Sequence, residues 1–202
     1  MCIVFFARHP TQTIKFFALF NRDEEVTRET LPLQVDEETG VLCGVDCSSR
    51  GTWMGVNVKT GNFGFLTNYD HKVFKMIKDQ KFRKGRLMID YLKSPDAMVT
   101  DEDFETYLKT FLEFGDEFNG TNILLGNLTS DDLPFSFANN YSSDKELPKY
   151  EYTVNEGGVQ SFSNGERAND WGKETLGKEL LMKLFENTDD IDVVKDIAFR
   201  VA

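Results

Sequence analysis

Long apolar runs are missing from this chain of 202 residues. No stretch approaches the roughly 18 apolar residues that a membrane-spanning helix needs, so no span is expected. Cysteine is scarce. Cys2, Cys43 and Cys47 are three in number, odd and too few for the disulfide framework of a small secreted domain. Cys43-x3-Cys47 has no second ligand pair beside it, so no zinc or other metal site is expected. Histidine is scarcer still, with only His9 and His71. A haem could use either, or a cysteine, as axial ligand, and nothing in the sequence selects one. Positive charge is the minority: 23 Lys and Arg face 34 Asp and Glu, giving a net charge of −11. That balance excludes bulk electrostatic binding of nucleic acid, which needs many contacts from Lys or Arg to phosphate. The N-terminal segment lacks a basic n-region, and Arg8 breaks its apolar run, so it does not read as a signal peptide. A cytoplasmic, reducing location is expected.

The hydrophobic fraction is 40%, and 18 phenylalanines exclude a disordered chain and provide for a core of full size. The length fits one domain over residues 1–202. Cys2–Arg8 and Lys15–Phe20 are apolar, β-prone runs around a polar link, which predicts a hairpin. Val41–Val45, Thr52–Val58 and Phe63–Thr67 are further predicted strands, the last two joined by the turn signal Lys59-Thr60-Gly61-Asn62. Helical spacing follows in Val73, Phe74 and Ile77, and again in Leu87, Tyr91 and Leu92. Thr100 with Asp103 predicts a capping box opening a helix striped by Phe104, Leu108, Phe111 and Leu112. Short strands are then predicted at Asn122–Leu128, Phe135–Ala138, Tyr150–Val154 and Val159–Phe162. Two helices close the chain, Trp171–Phe185 with the stripe Leu176, Leu180, Leu181, Leu184, and Ile191–Val201 with Val194, Ile197, Ala198. The acidic run Asp36-Glu37-Glu38 reads as loop surface. The order β–α–β–α predicts an α+β fold rather than an alternating one.

Two places carry chemistry. Removal of Met1 would leave Cys2 with a thiol and a free α-amine, and an amine titrating near pH 8 can act as base for its own side chain. The plainer alternative is a buried cysteine opening a strand. Antiparallel pairing of the first two strands brings Arg22 and Asp23 back beside Cys2, where Arg favours a thiolate and Asp can hold the amine. The second place is His71–Arg86. It holds Lys72, Lys75, Lys78, Lys81, Arg83, Lys84 and Arg86 against Asp79, a local +6 in a chain of −11. It is either a solvated helix face or a site for phosphates or an anionic membrane surface. In the second case Gly85 lets the backbone of a helix start approach a phosphate.

Met1-Cys2-Ile3-Val4-Phe5-Phe6, Asn21-Arg22-Asp23-Glu24, Gly51-Thr52-Trp53-Met54-Gly55 and Leu66-Thr67-Asn68-Tyr69, in that order, resemble the NRDE family, the transport-and-Golgi-organisation protein 2 family. Lys84-Gly85-Arg86, Asn119-Gly120-Thr121-Asn122-Ile123-Leu124, and Ser163-Asn164 followed by Trp171 and Lys173 extend the resemblance over residues 1–185. The resemblance implies a four-layer αββα sandwich of the N-terminal nucleophile hydrolase kind. Family members continue through a Gly-Tyr-Gly-Thr-Arg-like segment and two further strands. The expectation is therefore a sandwich lacking its C-terminal strands.

By the same resemblance, Cys2, Arg22, Asp23, Asn68 and Asn164 match the catalytic set of cysteine-type amidohydrolases. Asn21, Glu24, Lys84, Gly85 and Arg86 are the expected ligand-binding residues. The resemblance also implies binding of an amphipathic metabolite, acyl-coenzyme A or haem, with no required cofactor. It implies a role in secretory-pathway, Golgi or mitochondrial lipid homeostasis, with peripheral membrane contact at most. The alternative is hydrolysis of linear amides through a Cys2 thioester. The oligomeric state is left open.

Overall fold

A computed structural model describes residues 2–69, 83–130, 132–140, 149–153, 157–165 and 171–201. The strands are β1 Ile3–Arg8, β2 Phe16–Asn21, β3 Thr30–Asp36, β4 Val41–Asp46, β5 Met54–Asn57, β6 Asn62–Asn68, β7 Thr121–Asn127, β8 Phe135–Asn139, β9 Lys149–Thr153 and β10 Val159–Phe162. The helices are α1 Lys84–Leu92, α2 Asp101–Glu113, α3 Gly172–Asn187 and α4 Ile191–Val201. The described residues thus form a mixed α+β protein with two antiparallel sheets and four helices. They fall into two compact units. One joins Met1–Asp23 to Asn155–Ala202, and the other is Glu24–Val154.

The first unit holds the three-stranded sheet β10-β1-β2. The predicted hairpin is present, in register from Ile3 opposite Asn21 to Arg8 opposite Phe16. β1 lies between its two neighbours and is buried from Ile3 to Ala7, which is why it reads as an unbroken apolar run. Ile3, Phe5 and Ala7 point to one face, where they pack with Phe17, Leu19, Leu181, Leu184, Val194 and Ala198. On the opposite face the rings of Phe6 and Phe162 meet edge to face at 6.3 Å.

Two helix stripes differ from expectation. Leu176 and Leu180 are exposed, at 56% and 40%, and Ile197 is 38% exposed. α3 instead buries Glu174, Gly177, Leu181 and Leu184. Gly177 moves the contact face round the helix, because its missing side chain lets the Phe5 ring come against the helix backbone. A Cβ at Gly177 would lie 2.2 Å from Phe5 Cζ.

The second unit is a seven-stranded meander, β3 to β9 in sequence order, with α1 and α2 between β6 and β7. Leu66, Ile123, Leu125 and Ala138 on one sheet face pack against Met88, Tyr91, Leu92, Phe104, Leu108 and Phe111. The capping box at α2 is present: Asp103 N–H donates to Thr100 Oγ1 at 3.2 Å, and Thr100 N–H to Asp103 Oδ2 at 2.9 Å. At one end of the sheet, Asn57, Asn62 and Asn127 are fully buried and serve as internal caps for loops. Asn127 donates to Thr60 O at 2.9 Å and to Asn62 Oδ1 at 2.7 Å, and accepts from Thr129 N–H at 2.7 Å. Asn62 in turn accepts from Met98 N–H at 2.9 Å and donates to Asp96 O at 2.8 Å.

One strand was not anticipated. β3 lies at the sheet edge and is exposed along its whole length. Asp36, expected in a loop, ends this strand, and its Oδ1 accepts from the N–H groups of Glu38 and Thr39 in the following turn. The helix expected around Val73, Phe74 and Ile77 lies outside the described residues.

Candidate functional site

The site begins with strand register. Ile3 faces Asn21 on one side of β1, and Val4 faces Phe162 on the other. Continued by one or two residues, the same registers run Arg22 and Asn164 past Cys2 from opposite sides. Cys2 is buried, and its thiol points at Asp23 O from 4.0 Å. Ser163 Oγ donates to Cys2 O at 2.6 Å, which fixes the backbone of the cysteine. Asn164 is buried beside it.

The start of α3 completes this corner. Trp171 N–H donates to Glu174 Oε2 at 2.9 Å, and Glu174 N–H to Trp171 O at 2.8 Å. The buried Glu174 thus holds the first turn of the helix, and Trp171 packs over Gly165, next to Asn164. Lys173 Nζ stands 5.1 Å from the centre of the Trp171 ring, within cation–π range. The Asp23 carboxyl is held below its ordinary value, first by a hydrogen bond to the chain's amino terminus and by that group's charge, against a small desolvation, with Lys173 adding to the effect. Cys2, Arg22, Asp23, Asn164, Trp171 and Lys173 therefore meet at one end of the three-stranded sheet.

The remaining expected residues are placed as follows. Asn21 ends β2 and is exposed. Glu24 opens the second unit and lies 3.9 Å from Arg28. Asn68 ends β6 in that unit, exposed and opposite Thr121. Lys84, Gly85 and Arg86 form the first turn of α1, as expected of a loop-to-helix junction. Lys84 Nζ donates to Gly120 O at 3.0 Å, and Arg86 pairs with Asp90 at 2.9 Å. Gly85 permits a close backbone approach, to Gly51: a Cβ on Gly51 would sit 2.6 Å from Gly85 Cα. His71, Lys72, Lys75, Lys78 and Lys81 lie outside the described residues. His9 occupies an exposed turn. Cys43 is in the core, where burial pushes its thiol up.

Sequence reasoning missed what Ser163 and Glu174 do. Ser163 acts through a pairing partner 161 residues away, for which no local pattern exists. Glu174 did have a signal, a glutamate three residues after the residue preceding a helix.

An α+β protein whose first cysteine opens the middle strand of an antiparallel sheet, with an Arg-Asp pair returning beside it, defines the class. The sequence profile of the family described as Transport and Golgi organisation 2 matches residues 1–200, and the chain belongs to that family. It is 29% identical to the mouse Transport and Golgi organization 2 homolog, over 94% of this chain and 66% of the mouse protein. It is 27% identical to the human Transport and Golgi organization protein 2 homolog, over 93% of this chain and 66% of the human one. The chain thus spans about 66% of the length of these relatives. No described helix is long and apolar enough to cross a membrane.

Proposed function

We propose that the chain binds an amphipathic, negatively charged metabolite of the acyl-coenzyme A kind at the Cys2 corner. It does so in support of secretory-pathway, Golgi or mitochondrial lipid homeostasis, in the cytoplasm or against those organelles. Haem, with two carboxylates on an apolar ring, is the other ligand of this chemistry. The observation that carries the reading is the placing of Arg22 beside Cys2 by strand register, with Lys173 acting on Asp23 and standing over an indole ring, in a chain of net charge −11. Cations of this kind hold a phosphate, and the Trp171 face takes an adenine or an acyl chain. The presence of two antiparallel sheets and the cysteine at the start of a middle strand support a fold of the N-terminal nucleophile kind.

The test is titration of the full chain with palmitoyl-coenzyme A, followed by tryptophan fluorescence. A charge-assisted hydrogen bond contributes about 1.5–3 kcal/mol, and solvent screening at these partly exposed groups reduces that. Arg22→Gln with Lys173→Gln should therefore raise the Kd at least about tenfold. Lys84→Gln with Arg86→Gln should cost less, because these groups are already engaged by Gly120 O and Asp90. Equal affinity in the wild type and the Arg22/Lys173 variant would remove the proposal's support.

The contact of Cys2 with Asp23 favours a second reading, a cysteine-type amidohydrolase. In it the Cys2 thiolate attacks a linear amide carbonyl, the amine leaves with a proton from the N-terminal amino group, and water hydrolyses the thioester to free the acid. Asn164, in the same unit as Cys2, is the proposed donor to the developing oxyanion. A processed chain with Cys2 at its terminus, shown by intact mass, should hydrolyse acyl amides, and Cys2→Ala should lose all turnover with its fold intact. Full activity in a chain that retains Met1 would refute this mechanism, since the base is then an amide nitrogen.

A further inference from the structure

β3 is a sheet edge with exposed apolar residues, Val35 on the face of Leu42, and Leu31, across a bulge, on the face of Val45 and Cys43. Leu31, Leu33 and Val35 alternate with Thr30, Pro32, Gln34 and Asp36, and they are 44%, 60% and 42% exposed. No other described strand pairs with its outer side. An edge of this kind is a template for an added strand, and proteins normally blunt it. Here the blunting is partial. Pro32 removes one donor, and the register shifts between Leu31 and Gln34, but no charged side chain interrupts the apolar series.

The charges stand at the two ends instead. Glu25 and Glu29 precede the strand, and Glu37 and Glu38 follow it. The cations nearby are engaged by these same segments or by their own loop. Arg28 pairs with Asp46, Lys93 lies 3.7 Å from Asp36, and Lys59 Nζ donates to Glu37 O and Glu38 O.

From these observations we infer that β3 accepts an extended segment of a partner protein as an eighth strand, one with alternating apolar residues and basic residues at both ends. Backbone pairing supplies the geometry, Leu33 and Val35 beyond the bulge supply apolar contact, and the terminal glutamates select the charge. A second copy of this chain is the wrong occupant. Antiparallel self-pairing centred on Leu33 would set Glu29 of each copy against Glu37 of the other, where like charges repel, and the Arg28 that would face Glu38 is already paired with Asp46.

The experiment uses the full chain and a fluorescent ten-residue peptide of alternating valine and threonine with lysine at each end. A counterpart peptide carries glutamate in place of lysine. In fluorescence anisotropy at low salt the lysine peptide should bind at least tenfold more tightly, and the difference should shrink as salt rises. Leu33→Lys, at an exposed position that leaves the fold intact by circular dichroism, should weaken the lysine peptide at least tenfold. Glu25→Gln with Glu29→Gln should reduce the preference between the peptides and leave the glutamate peptide no weaker. Equal binding of both peptides, or unchanged binding by the Leu33 variant, overturns the inference. So does a concentration-dependent dimer in sedimentation that Leu33→Lys abolishes, because the occupant is then a second copy.

Discussion

Replacing Asn127 by alanine should lower the free energy of unfolding by about 1–3 kcal/mol, read from urea titration as a fall in midpoint at constant slope. The side chain is fully buried, and its loss removes the donor to Thr60 O and Asn62 Oδ1 and the acceptor of Thr129 N–H. Asn62 Oδ1 keeps Met98 N–H, and Thr129 is exposed, so the cost is that of the lost hydrogen bonds and the cavity rather than of three buried orphans. Asn127→Asp provides a sharper test. It turns a donor into a second acceptor facing Asn62 Oδ1 and Thr60 O, and it buries a carboxylate. The folded-state pKa of that carboxyl must then rise above its unfolded value of about 3.9. Relative to wild type, the destabilisation should be smallest below pH about 4, where the acid is protonated and can donate, and should grow as pH rises through the elevated folded value. A difference from wild type that is flat between pH 3 and 7 would contradict the assigned direction of these hydrogen bonds.

Gly177→Val should destabilise the chain by about 1–3 kcal/mol, although valine is the better helix former of the two. The Phe5 ring occupies the space into which the new side chain must go, with Cζ 2.2 Å and Cε1 2.6 Å from the Cβ position. Phe5 is itself 4% exposed, so it has little room to move. Relief must come from α3 shifting off β1, and the first turn of α3 carries Trp171 and Lys173. The variant should therefore also weaken palmitoyl-coenzyme A binding under conditions where it remains folded. Thermal unfolding unchanged from wild type would mean that α3 does not approach the strand this closely.

Elements whose apolar pattern coincides with burial were legible in the sequence. The β1–β2 hairpin followed from two apolar runs around a polar link, and α2 from Thr100 and Asp103 three residues apart. β3 was not legible, because its alternation is genuine but buries nothing, and Pro32 masks it. The stripe of α3 misled at Leu176 and Leu180, since leucine spacing cannot reveal that a glycine provides the contact. At the candidate site, the nearness of Asp23 to Cys2 followed from hairpin geometry alone. The contributions of Ser163 and Trp171 to the same corner depend on β10 pairing with β1, a contact without any local imprint in the sequence.

The first unit is made from the two ends of the chain, and this sets the order in which the molecule can be completed. The meander from β3 to β9 pairs each strand with its neighbour in sequence, so its contacts are local and can form early. Cys2 waits for Ser163, 161 residues downstream. At synthesis rates of about 5–20 residues per second, that delay is about 8–32 s on the ribosome. Throughout it the outer edge of β1 lacks the strand that will pair with it, and the backbone of Cys2 lacks the serine that will fix it. The first strand thus waits for its partner longer than any strand of the meander, and wrong pairing at its edge is a hazard of translation rather than of the finished fold.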